Sequence, residues 1–105
     1  MAFKDSTDEK FSDQIGGSKL SLIQFSASWC GPCQQLKPIV EKISNDMSDK
    51  LDCYYHDIEN QPNEPTKYSV RGVPTILLFK KGKLLGTKVG ASSEKDMLEF
   101  IKPHI

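Results

Sequence analysis

An apolar run, Leu20 to Phe25 (LSLIQF), passes through Ser26-Ala27-Ser28-Trp29 into Cys30-Gly31-Pro32-Cys33 and then into a stretch of helical periodicity. That junction constrains the fold more than any other feature of the chain. A short apolar run bounded by polar residues reads as a strand buried on both faces. From Pro32 onward, Leu36, Ile39, Val40, Ile43 and Met47 recur at helical steps, so one face of a helix reaching about Met47 is apolar. Pro32 suits the first turn of that helix, and Pro38 is expected to bend it without ending it.

The remaining patterns alternate in the same way. Ser6-Thr7-Asp8-Glu9 has the spacing of a capping box, and with Phe11 and Ile15 it predicts a short helix from about Asp8 to Ile15, ended by Gly16-Gly17. Leu51 to Ile58 is strand-like, Pro62 to Tyr68 reads as a short helix, and Thr75 to Phe79 (TILLF) is a second buried strand. Lys80-Lys81-Gly82-Lys83 reads as a hairpin turn into a strand from Leu84 to Val89. Ser93 and Asp96 then precede a closing amphipathic helix through Met97, Leu98 and Ile101. This order predicts an α/β fold, a mixed sheet covered by helices on both faces, with one hairpin and at least one strand-helix-strand crossover. Periodicity does not fix the strand order.

Size and charge narrow the function classes. A chain of 105 residues is expected to form a single domain, residues 1–105. Fourteen Lys and Arg balance fourteen Asp and Glu, which argues against a broad basic surface for nucleic acid or an anionic membrane. Three cysteines are too few, and odd in number, for a disulfide-scaffolded secreted domain. Met1 to Lys10 is acidic and carries no apolar run, unlike a secretory signal or a transit peptide, and no segment approaches the roughly 20 apolar residues that span a bilayer. The expectation is a cytoplasmic monomer.

Cys30 and Cys33 sit where a strand ends and a helix begins, next to the unpaired amides and positive dipole end that stabilise a thiolate. Cys30, at the cap position, is the better nucleophile, because Cys33 already lies inside the first turn. The two-residue spacer lets Cys33 reach back and resolve a mixed disulfide within the molecule. A zinc site is the competing reading, since Cys53 and His56 add a Cys-x-x-His to the Cys-x-x-Cys. Strand geometry opposes it, because residues three apart on a strand point to opposite faces. Cys53 shares a face with Leu51 and Tyr55 and reads as a buried, inert thiol. His104, beside Pro103, reads as solvated.

With these residues in view, the chain resembles the thioredoxin family over nearly its whole length. The matching stretches are Phe25 to Cys33 (FSASWCGPC), Lys37-Pro38, Asp57-Ile58 with Pro62, Lys67 to Thr75 (KYSVRGVPT) and Lys88 to Ala91. The resemblance implies a thioredoxin fold, with a central mixed sheet of four to five strands, about four helices and a first strand supplied by Ala2 to Lys4. It implies a general protein-disulfide reductase with no bound cofactor and no metal, whose electrons come from NADPH through thioredoxin reductase and whose clients are disulfide-containing proteins. Trp29, Gly31 and Pro32 would tune the dithiol. Val73-Pro74 would be the cis-proline turn beside it, and Trp29, Gly72, Val73, Pro74, Val89, Gly90 and Ala91 would line a shallow substrate groove. By pattern alone Trp29 fits core packing equally well.

The chain departs from the family at two places. Where members commonly carry a buried Asp on the central strand and a Lys beside it, this sequence has Gln24 and Tyr55. An amide can hydrogen-bond but cannot take a proton, so the usual general base for Cys33 is missing. Either Cys33 resolves more slowly or through water, or Gln24 merely satisfies a buried polar position. Two other functions stay open on the same fold: a binding module or adaptor that does not use the dithiol, and a disulfide oxidase or isomerase running in the opposite direction.

Overall fold

The computed structural model describes residues 3–105. Its elements run β1 (Phe3–Ser6), α1 (Phe11–Ile15), β2 (Leu20–Ser26), α2 (Gly31–Asp46), β3 (Leu51–Asp57), α3 (Asn63–Lys67), β4 (Thr75–Lys80), β5 (Lys83–Val89) and α4 (Glu94–Ile101), closed by a 3-10 turn at Lys102–His104. The five strands form one sheet in the order β1-β3-β2-β4-β5. β1, β3 and β2 run parallel, and β4 and β5 are antiparallel additions.

β2 lies at the centre and is buried along its whole length. Its alternating side chains feed two separate cores. Leu20 and Leu22 join Ile76 and Leu78 of β4 beneath Leu36, Val40 and Ile43 of α2 and Met97 and Ile101 of α4. Ile23 and Phe25 join Leu77 and Phe79 on the opposite face, under Phe11 and Ile15 of α1 and Tyr68 and Val70 after α3. Each fully buried Leu, Ile or Phe stabilises by about 1.5–3 kcal/mol relative to exposure, which is what holds the layers together. The sheet ladders and the caps then satisfy the backbone. Ser93 caps α4, accepting from the Asp96 N–H at 3.1 Å, and the hairpin turns through two left-handed residues, Lys81 (φ 53°) and Gly82 (φ 79°), the pairing that a tight β-turn of matching twist requires. α2 continues unbroken through Pro38.

Three expectations need correction. The N-terminal helix begins at Phe11 with no side-chain cap rather than near Asp8. Ser6 instead ends β1, with its hydroxyl 2.8 Å from His56 Nδ1, and Asp8 gives its carboxylate to another helix, accepting from the Asn63 and Glu64 N–H groups at 3.0 and 2.9 Å. The first strand covers Phe3–Ser6, beyond the Lys4 limit, and Ala2 lies outside the described residues. His104 is half-buried rather than solvated, packed near Gly86. Among the described residues no helix is long and apolar enough to cross a membrane.

Candidate active site

The end of β2 and the start of α2 build the site. After Ser26 the chain turns through Ala27, whose carbonyl accepts the Cys30 N–H at 3.1 Å. Cys30 is the N-cap of α2, in extended conformation, and its sulfur accepts the Cys33 N–H at 3.2 Å. The sulfur thus occupies the place where Ser or Asp usually satisfies a helix's first amides. Cys30 and Cys33 are joined as a disulfide, with Cα atoms 5.2 Å apart. Of the two, Cys30 is 5% exposed and Cys33 0%. Ala27, Ile58 and Val73 form the apolar seat around them.

The second wall comes from a distant segment. The Val73–Pro74 peptide bond is cis, and Val73 O lies 3.7 Å from Cys30 Sγ. Gly72 O accepts the Thr75 hydroxyl at 2.6 Å, and Pro74 O accepts the Gly90 N–H at 2.9 Å, which ties the loop after β5 to the one before β4. Gly90 is left-handed (φ 96°), a conformation that favours glycine. Trp29 is 68% exposed and Val89 69%, so neither belongs to the core. Trp29, Gly72–Pro74 and Val89–Ala91 all come from loops and strand ends on the dithiol side of the sheet.

Beneath the first turn of α2, Gln24 is fully buried. Its Nε2 donates to Ser26 Oγ at 2.7 Å and to the Cys33 carbonyl at 3.1 Å, while its Oε1 has no partner. Its register partner on β3 is Tyr55, whose hydroxyl accepts from Gln34 Nε2 at 3.1 Å. Gln34 also donates to the Ala27 carbonyl at 3.1 Å, and Lys37 Nζ stands 4.5 Å above the Tyr55 ring, within the range of a cation-π attraction.

The family profile described as Thioredoxin matches residues 2–103. The chain belongs to the thioredoxin family. It is 44% identical over 100 residues to a thioredoxin of Acidithiobacillus ferridurans, covering 94% of this chain and 93% of the relative. It is 43% identical over 100 residues to a thioredoxin of Buchnera aphidicola, with the same shares covered, 94% and 93%. Among solved structures, the Malassezia sympodialis thioredoxin (Mala s 13), described as a member of a pan-allergen family, superposes with a TM-score of 0.88 at 33% identity, covering 99% of this chain and 90% of that one. The fold is therefore the thioredoxin fold. Thioredoxin membership makes this chain a protein-disulfide reductase, with Cys30 and Cys33 as its disulfide-forming pair.

The zinc reading fails on geometry. Cys53 belongs to the core on the α2 side of the sheet, whereas the His56 ring packs against Phe25 and Phe11 on the other, at 4.9 and 5.8 Å. Among the described residues no cluster of three or more His, Cys, Asp or Glu is arranged to hold a metal. Burial pushes the Cys53 thiol up to about 12. Sequence reasoning missed Gln34, Ser26 and Lys37. Gln34 stands one helical turn after Cys30, which is the signal that could have marked it as a neighbour of the active loop. Ser26 stands two residues after Gln24 on β2, which places both on one face of the strand, whereas the Lys37 contact depends on Tyr55 of a separate element.

Proposed function

We propose that Cys30 is the attacking thiol and Cys33 the resolving one. The Cys30 thiolate attacks one sulfur of a client disulfide, forming a mixed disulfide and releasing the first client thiolate, which takes up a proton. Cys33 then gives up its proton and attacks Cys30 Sγ, forming the Cys30–Cys33 bond and releasing the second client thiolate. Two electrons and two protons pass to the client. The observation that carries this order is the cap: Cys30 Sγ receives an amide hydrogen bond at the positive end of a 16-residue helix, where negative charge on sulfur is favoured, while Cys33 is the more deeply buried.

Trp29, Gly31 and Pro32 tune the pair, and Trp29, Gly72, Val73, Pro74, Val89, Gly90 and Ala91 line the groove in which an extended client segment pairs with the Val73 backbone. Gln24 and Tyr55 replace a charged pair with a neutral one, so that Cys33 gives up its proton without a carboxylate base. The chain works as one domain, a cytoplasmic monomer, recharged by a thioredoxin reductase with NADPH. The low, odd cysteine count and the bacterial thioredoxin relatives support the reducing compartment.

Trapping tests the order of attack. Incubated with a disulfide-bonded client, Cys33→Ser is expected to accumulate a mixed disulfide through Cys30, and Cys30→Ser to accumulate none. The reverse pattern overturns the assignment.

A further inference from the structure

The face of β5 on the α1 side is unlike the rest of the sheet. Register pairs Val89 with Thr75, Thr87 with Leu77 and Leu84 with Phe79, so Leu84, Thr87 and Val89 share the face of the core that holds Leu77 and Phe79. β5 contributes nothing to that core, and Leu84 and Val89 are 42% and 69% exposed. Between β5 and the segment after α3 lies a hollow of about 220 Å³. Leu77 and Thr75 line it from β4, Tyr68 and Val70 from the segment after α3, and Thr87 from β5. Gly72 and Val89 border it too, so it opens directly onto the proposed groove.

Arg71 completes the lining. It is the only arginine in the chain, the other cations being lysines. It is exposed, and none of the five ion pairs among the described residues includes it. No acidic residue borders the hollow. A guanidinium beside an apolar recess matches a carboxylate next to an apolar side chain, because its fork binds carboxylates in a bidentate manner and is weakly hydrated.

We propose that this hollow is a specificity subsite for the client segment: it takes an apolar side chain while Arg71 holds the side-chain carboxylate of an adjacent Asp or Glu. The proposal rests on the reductase reading above and selects among its clients. Continuity with the groove through Gly72 and Val89 brings the occupant from the segment that carries the client disulfide, and the unpaired cation sets its sign.

The test uses synthetic disulfide-bonded peptides in which a Leu-Glu pair is moved through each position on either side of the cysteine, each matched to a Leu-Lys and a Ser-Glu version. With the intact protein, at least one register is expected to show a KM about two- to fivefold lower for Leu-Glu than for Leu-Lys, the size of one exposed charge pair, with kcat less affected. Arg71→Glu reverses the Glu-over-Lys preference in that register. Thr87→Arg, which fills the hollow from β5, removes the Leu-over-Ser preference. A Glu-to-Lys ratio identical in the intact protein and Arg71→Glu in every register overturns the subsite while leaving the reductase standing. Failure to reduce any peptide, or a small aromatic disulfide, overturns both.

Discussion

Gln24 and Tyr55 face one another across β2 and β3, and the Gln24 amide reaches from there to the Cys33 carbonyl at 3.1 Å. The buried side chain that bonds the Cys33 carbonyl is therefore an amide, neutral at every ordinary pH. Gln24→Asp is expected to add a buried carboxylate and, with it, a titration in the rate of client reduction that the natural protein lacks. It also destabilises the fold, by about 1–3 kcal/mol, because a charge replaces an amide with no cation opposite it on β3. Reduction rates followed from pH 5 to 9 and urea unfolding check the two effects. An unchanged rate and profile shows that Gln24 only fills a buried polar position.

The direction of electron flow is read from the reduction potential of the Cys30–Cys33 pair against a glutathione or dithiothreitol buffer. A value at or below about −250 mV is expected, in line with the general-scale value for thioredoxin itself. A value near about −150 mV would make the chain a disulfide donor instead.

Thiol counting separates the three cysteines. In the reduced, folded protein at pH 8, Cys30 alone is expected to react with a bulky alkylating reagent, and Cys33 and Cys53 only after denaturation. Both are fully buried, and burial also pushes the Cys53 thiol up to about 12, away from the reactive thiolate. A second fast-reacting thiol in the folded state would refute this.

Asp8 ties the turn after β1 to the start of α3. Burial acts to raise its carboxyl, but the Glu64 and Asn63 N–H groups, and His56 at 3.3 Å, outweigh it and hold the group below its ordinary 3.8. A carboxyl lowered in the folded state adds stability above its unfolded value and loses it as pH falls through the folded one. Asp8→Asn removes the charge and one of the two acceptor oxygens, and is therefore expected to lower stability by about 0.5–1.5 kcal/mol near neutral pH, the size of one hydrogen bond, with the difference shrinking as both proteins are taken below about pH 4. Thermal unfolding at pH 7, 4 and 2.5 checks it.

What the sequence disclosed follows the range of the contacts involved. The dithiol, α2, the Lys81-Gly82 turn and the Ser93 cap are written in neighbouring residues, and each is found where its pattern falls. The capping box at Ser6 and Glu9 obeyed the same local rule and still failed, because Ser6 has its partner elsewhere. Ser6 bonds a residue 50 positions away, and the neighbouring Asp8 bonds amides 55 and 56 positions away. β1 escaped for a similar reason: it is four residues long and takes its register wholly from β3. At the site, residue types were legible but the hidden geometry was not. Gln24 stood out by its departure from the family, whereas its link to the Cys33 carbonyl, the Gln34 bridge to Tyr55 and the hollow beside Arg71 arise only when separate strands are brought together.

The sulfur that caps α2 bears on how an inactive control should be chosen. Alanine at position 30 abolishes electron transfer and also leaves the Cys33 amide without its acceptor, so a frayed helix start is confounded with absent chemistry. Serine offers an oxygen to the same N–H and ranks among the best N-caps. Only the serine form isolates the loss of redox function from damage to the scaffold that presents it.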